Sequence, residues 1–405
     1  MKKTNTIFNI YARSLLTVLL VIFLIIPVQA TSFSFDTTRV NVPRIKPWTT
    51  LFYLDVDYDS GNYDALEQEF RDEIASNENI NVVVIQDKEH EPAFMYYIEE
   101  NHSKTLLAEM GEINMGDHQT LSDFIAYGKE YYPAERYLLY IYDHGGGWKG
   151  ACMDTTNNDI LTMDEFQKAL QETGGVDIIA FFACLMASIE SIYELRDLVD
   201  VYIGSEDLGY GYWWDGVCGD MNQLLTTNPS LSTDEAGSEL VEFFQDHPNI
   251  ASDLLTMSAI KVEKIEPLVQ EIHTLHKYYV THWLQYYKPI KQAHEATYML
   301  ADYLQWAEIF EEYDLRGYLE NLPQCSSTEK ALQLFDEAVL THVHGSERPD
   351  TYGLNIFFPS QISPHKLCRE YREAGLALDL PTDTCWNEFL FFFILTNTIF
   401  GRFTT

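Results

Sequence analysis

Two residues carry the strongest chemical signal in this chain, His144 and Cys184. Each closes an apolar run, "RYLLYIYDH" (136–144) and "VDIIAFFAC" (176–184). Runs of this kind read as strands buried on both faces. In open α/β sheets, ligands bind beyond the carboxyl ends of the strands. If the two strands are parallel neighbours, a thiol and an imidazole meet at one edge and can work as nucleophile and base. Taken alone, each residue has a plainer reading. A cysteine in an apolar strand is usually a small core side chain, and a histidine at a strand end is usually a hydrogen-bonded surface group. The run "HGGGW" (144–148) tips the balance. Three glycines are costly in backbone entropy, and they let backbone N–H groups approach a substrate carbonyl.

An esterase uses a similar glycine run, but needs G-x-S-x-G at a later strand-to-helix elbow. The chain has no such motif. It carries "FACLMAS" with Cys184 where that serine would sit. A serine esterase is therefore set aside.

The surrounding pattern supplies the frame. "TTLFYLD" (49–55), a helix-compatible stretch from Asp64 to Ile74, and "NVVVIQD" (81–87) read as strand, helix, strand. Thr120-Leu121-Ser122-Asp123 fits a capping box opening a helix to about Tyr131. "VYIGSED" (201–207) follows as a further strand. From about Leu254 to Leu322 the pattern is helical; "TYGLNIFFP" (351–359) is a late strand, and "CWNEFLFFFILTNTIF" (385–400) a buried terminal helix. The expectation is an α/β fold: a largely parallel sheet flanked by helices, with a mainly helical C-terminal region. Residues 1–30 would be a signal peptide, 31–250 the domain holding the reactive pair, and 251–405 a helical region whose late strand packs on it.

The N-terminal segment has Lys2, Lys3 and Arg13, an apolar run from Leu15 to Ile26, and "PVQA" before residue 31. That is the layout of a secretory signal, and the run is short for a bilayer span. The reading is a secreted protein without a stable membrane span. Loss of those three basic residues takes the net charge from −36 to −39. Such an acidic chain repels phosphates, so nucleic acid is excluded as a partner. In an exported protein disulfide pairing is the default, and with Cys184 kept as a thiol at most two bridges can form; Cys152 with Cys218, and two among Cys325, Cys368 and Cys385, are candidates that the sequence leaves open.

"YIYDHGGGWKG", "IIAFFACLMASIESIYELRD" and "YIGSED" resemble the signature of the clostripain family of cysteine peptidases, in the caspase–gingipain–legumain fold group. The likeness extends through "PWTTLFYLDVD", "MGDHQTLSDFI", "EYDLRGYLENL" and "YGLNIFFP". It implies a cysteine endopeptidase acting on proteins or peptides: Cys184 the nucleophile, His144 the general base and then acid, and the N–H groups of Gly145 and Cys184 the oxyanion hole. No cofactor is needed for that chemistry. The alternative is a catalytically silent protein of the same fold that binds peptides or cell-surface partners.

The sequence departs from this family where specificity is set. Phe182 stands where relatives have the aspartate of "DAC", and Tyr210 near an expected second acid. Phe182, Tyr210, Tyr212 and Trp213, with Ser205, Glu206 and Asp207, are the candidate substrate-binding residues. The aromatic members of this set predict a preference for hydrophobic or aromatic residues before the cut, because a buried guanidinium without a partner is costly; the alternative is that Phe182 packs in the core and Glu206, Asp207 or Asp215 supplies a charge. Relatives are often made as zymogens. A nick would fall in "KGACMDTTNNDIL" (149–161), near Met153 or Leu161. Some relatives also respond to calcium, for which Asp55, Asp57 and Asp59 are candidates although their spacing is not that of an EF-hand.

Overall fold

The computed structural model describes residues 44–57, 64–209, 216–246, 253–300, 311–360, 371 and 378–401. The signal segment, Asp59, Cys368, and Tyr210, Tyr212, Trp213 and Asp215 lie outside them.

Nine strands form one sheet. They are β1 (Lys46–Val56), β2 (Ile80–Lys88), β3 (Ala93–Ile98), β4 (Lys104–Gly111), β5 (Ala134–Tyr142), β8 (Ile178–Phe182), β9 (Val201–Gly204), β10 (Thr256–Lys261) and β12 (Val339–His344). Two small antiparallel pairs stand apart: β6 (Ala151–Asp154) with β7 (Asp159–Leu161), and β11 (Glu312–Asp314) with β13 (Asn355–Phe357). The order in the large sheet is β12-β10-β9-β8-β5-β1-β2-β3-β4. Its centre, from β9 to β2, is parallel. The edges β3, β4, β10 and β12 pair antiparallel.

The central strands are apolar throughout because helices cover both faces. On one face Phe52, Tyr140 and Phe182 pack with Leu66, Phe70, Val217, Leu240 and Phe244 from helices Asp64–Asp72, Val217–Thr227 and Thr233–Asp246. On the other, Tyr53 meets Phe124 of helix His118–Tyr131, and Phe181 meets Phe166 of helix Met163–Thr173. Burying side chains of this size contributes roughly 1.5–3 kcal/mol each.

Three expectations are corrected. The helix at 118 is capped by Asp117, whose carboxylate accepts from Gln119 N–H, rather than from Thr120. The stretch expected to be helical from Leu254 contains β10, a short buried run that periodicity cannot separate from helix. Cys152 and Cys218 are both free and buried. Cys218 belongs to the Phe52 face, whereas Cys152 neighbours Tyr53 on the opposite one, so the sheet separates them. Cys325 and Cys385 are also free.

The terminal helix Trp386–Gly401 buries Phe389 and Phe393 and exposes Phe391 and Leu395. Among the described residues no helix is long and apolar enough to cross a membrane.

Candidate active site

Strands β5 and β8 are parallel neighbours whose last residues, Tyr142 and Phe182, are register partners. His144 and Cys184 each lie two residues beyond, at the same edge. The Cys184 sulfur accepts from Gly209 N–H at 3.2 Å and faces the Gly209 carbonyl at 3.5 Å. Burial pushes the thiol up to about 11, with Asp207 and Asp143 adding to it and the Gly209 N–H opposing. At neutral pH the sulfur is therefore a thiol that needs a base.

The backbone is shaped around that sulfur. Leu185 has φ +63°, a left-handed conformation that costs a non-glycine residue on the order of 1 kcal/mol. Three bonds hold it there: Leu185 N–H to Asp207 O at 3.0 Å, Ala187 N–H to Ser205 O at 2.9 Å, and the Asn355 amide to Leu185 O at 3.1 Å. Asn355 also donates to Glu206 O, tying both loops together.

On the other side, the segment after β5 pairs with β6. Cys152 N–H donates to His144 O and Gly146 N–H to Gly150 O, bracketing a bridge between Gly145 and Ala151. Trp148 is buried edge-on against Phe357 and Tyr371 and anchors the run. A Cβ on Gly145 would stand 2.4 Å from Cys184 O and 2.9 Å from the Ala183 methyl. Only glycine lets the two loops come this close. Among the described residues the N–H groups of Gly145 and Cys184 have no backbone acceptor.

A model of the clostripain family matches residues 53–360, about three quarters of the chain. The chain belongs to the clostripain family. Clostripain of Hathewaya histolytica is 27% identical over 199 residues, 40% of this chain and 38% of that relative. The match thus spans well under half of the relative's length. A secreted C11 cysteine protease from Bacteroides thetaiotaomicron, solved with an irreversible peptide inhibitor, superposes with a TM-score of 0.60. It is 17% identical, with 82% of this chain and 99% of that one covered. An inactive zymogen C11 protease from Parabacteroides distasonis gives 0.60 at 18% identity, covering 85% and 99%. These structures share the fold of this clostripain-family chain.

The expected specificity residues fall elsewhere than foreseen. Phe182 does not line the strand-end surface. Its ring is in the core, edge-on to Tyr140 and Phe244. Ser205, Glu206 and Asp207 are buried and occupied. Ser205 Oγ bonds Thr256 Oγ1. Glu206 accepts from Gly353 N–H and lies 3.1 Å from His342 Nε2. Burial lifts Glu206 to about 7 and drops His342 to about 4, so this contact is not an ion pair at neutral pH. Asp207 pairs with Arg348 Nε at 2.6 Å, both buried. What does adjoin Cys184 is apolar: Leu185, Leu208 and Leu300, with Tyr298 packed on them. Gly209, Asn355 and Arg348 were missed. Only Asn355 left a trace, as the polar residue inside an apolar late strand.

The calcium candidates also shift. Asp57 is taken up by Thr155 and Thr156, from which it accepts three hydrogen bonds. Among the described residues, Asp87, Glu112 and Asp154 are the three carboxylates whose oxygens lie within 4.8 Å of one another. Of the two nick positions, Met153 is 44% exposed and Leu161 is fully buried, so only the first is open to attack.

Proposed function

We propose that this protein is a secreted cysteine endopeptidase in which Cys184 attacks the scissile carbonyl. His144 takes the thiol proton and passes it to the leaving amine; water then releases the acyl group from the Cys184 thioester. The observation that carries this reading is the β5–β8 register, which sets His144 and Cys184 side by side beyond two adjacent parallel strands. The N–H groups of Gly145 and Cys184 hold the oxyanion, a contribution of about 10²–10³ in rate per donor. The pair comes from the 31–250 part of the chain, and 251–405 braces it through Arg348 and Asn355.

The substrate preference follows from the neighbours of the sulfur. Leu185, Leu208, Leu300 and Tyr298 favour an apolar side chain before the cut. Glu206 and Asp207 are committed to buried partners, so neither is free to receive a guanidinium. A fluorogenic peptide set varied only at that residue tests this. The expected result is thiol-dependent cleavage after Leu, Phe or Tyr at least about tenfold faster than after Arg. Dominant cleavage after Arg or Lys contradicts the pocket and leaves the catalytic pair standing. Cleavage that persists in Cys184→Ala contradicts the pair itself. If the chain is made as a zymogen, the nick falls at Met153, read by intact mass.

A further inference from the structure

The chain carries 62 Asp and Glu against 26 Lys and Arg, yet one part of it is almost free of acids. Residues 272–294 run from the middle of helix Ile265–Thr281 through most of helix Trp283–Ala296, and they contain three lysines and no Asp or Glu. The terminal helix Trp386–Gly401 has one acid, Glu388, in its first turn. These segments meet side by side. Trp283 Nε1 donates to Thr396 Oγ1 at 2.9 Å, its ring lies 5.7 Å from that of Phe392, and the Tyr287 hydroxyl donates to Asn397 Oδ1 at 2.6 Å. Around that seam apolar side chains stand in water. Leu284, next to Trp283, is 98% exposed. On the terminal helix Phe391, Leu395 and Ile399 recur every fourth residue and are 60%, 43% and 46% exposed. Phe389 and Phe393 seat the opposite side of that helix in the core, so its outward side is an apolar stripe that no described residue covers.

An uncharged stripe of this kind would suit a second copy of the chain as well as lipid, and the lysines decide between them. Leu284, Lys288 and Lys291 fall at i, i+4 and i+7 on one side of their helix, and Lys277 and Lys288 are exposed. Among the described residues only Lys291 of the three lysines is ion-paired, with Glu295 at 3.6 Å. Pairing this face with itself across a two-fold axis would bring the lysines together with almost no acid to oppose them. A layer of anionic headgroups supplies the missing charge. Exposed Leu and Phe flanked by Lys, with Trp and Tyr between them, is the make-up of helices that lie in a membrane interface. Apolar tips enter the acyl boundary, aromatic rings sit at headgroup level, and lysine stems stretch toward the phosphates. The net charge of −36 does not oppose this, because salt at about 0.15 M screens charges beyond about 8 Å and a membrane meets only the local face. We infer that the face built by Leu284, Lys288, Phe391, Leu395 and Ile399 docks on an anionic lipid surface. The contact lies in the plane of that surface and involves no membrane span.

The test does not depend on peptidase activity. It uses the exported form, residues 31–405, carrying Cys184→Ala, so that neither the apolar run 15–26 nor self-cleavage interferes; every described element begins at Lys46 or later. Binding is read by flotation with vesicles of phosphatidylcholine alone and with about one-third phosphatidylglycerol, at about 0.15 M salt. The expected result is binding to the anionic vesicles at least about tenfold tighter than to the neutral ones. Leu284→Glu and Leu395→Glu should each weaken it at least about tenfold. Lys277→Glu with Lys288→Glu should do the same, since one lysine near an anionic surface contributes about fivefold. Leu284 is exposed enough that its variant should keep the parent's unfolding temperature, which separates lost docking from lost fold. Equal binding to both vesicle types overturns the inference, and so does unchanged binding in Leu284→Glu. Absence of vesicle binding by the parent overturns it outright; if that parent sediments as a dimer that Leu284→Glu dissociates, the face joins two copies of the chain instead.

Discussion

The two sides of the reactive edge are held in different ways. The Cys184 side is closed on itself: Asp207 is neutralised by Arg348, and the left-handed Leu185 is pinned by Asp207 O and Asn355. The His144 side leans on a hairpin whose nearby acids, Asp55, Asp87 and Asp143, are raised to about 9, 8 and 7, chiefly by burial and further by neighbouring carboxylates. The first side is set by the chain alone. The second holds acids that burial and acidic neighbours keep protonated well above the ordinary carboxylate range.

The strongest way to break this contrast is to remove the internal counter-charge. Arg348→Met strands Asp207 in the core and should cost about 3–5 kcal/mol, read by denaturant unfolding. A loss below about 1 kcal/mol would mean that the Cys184 side is not held by this pair. Next comes the seam between the sides. Gly145→Ala forces a methyl against Cys184 O, and peptide hydrolysis should fall about 10²–10³-fold while the fold is kept. Undiminished hydrolysis would show that the loops need not touch.

The pH dependence sharpens the comparison further. The folded pKa of Glu206, about 7, lies above the ordinary carboxylate range. Its contribution to stability is therefore full below about pH 4.5 and lost as pH rises through about 7. Glu206→Gln should flatten the fall in unfolding temperature between pH 5 and 8. An unaltered slope contradicts the assignment. The smallest expected effect is that of Asn355→Ala, which leaves Leu185 O and Glu206 O without their shared donor. It should destabilise by about 1–3 kcal/mol and lower kcat more than it raises KM. Equal losses in a variant far from Cys184 would deny Asn355 any positioning role.

Much of this was legible in the sequence, for a physical reason. Strands β1, β2, β5, β8 and β9 are buried on both faces, so their apolar runs stand out, and a reactive residue closing such a run is conspicuous. The same property hid the role of Phe182. In a run where every side chain is buried, Phe181 and Phe182 look alike, and only register decides which face each one takes. The β3–β4 edge left a weaker signal, because β3 mixes buried with half-buried residues and β4 half-buried with exposed ones. Asp87, Glu112 and Asp154 lie far apart in sequence, and only the closing of the β4 loop over the β6–β7 hairpin brings them together. Arg348 gave no sign of itself, since a lone arginine near a loop is usually solvated.

The central claim is that His144 activates Cys184 across the β5–β8 edge. It is tested most directly by labelling with a thiol-reactive peptide electrophile, followed by intact mass and peptide mapping, in the natural chain and in His144→Ala. Cys325 is exposed and serves as the internal reference. The account predicts one fast adduct per chain at Cys184, slowed at least about 10²-fold by His144→Ala, with Cys325 unaffected. Labelling of Cys184 at the same rate in both proteins, or no faster than Cys325, would contradict it.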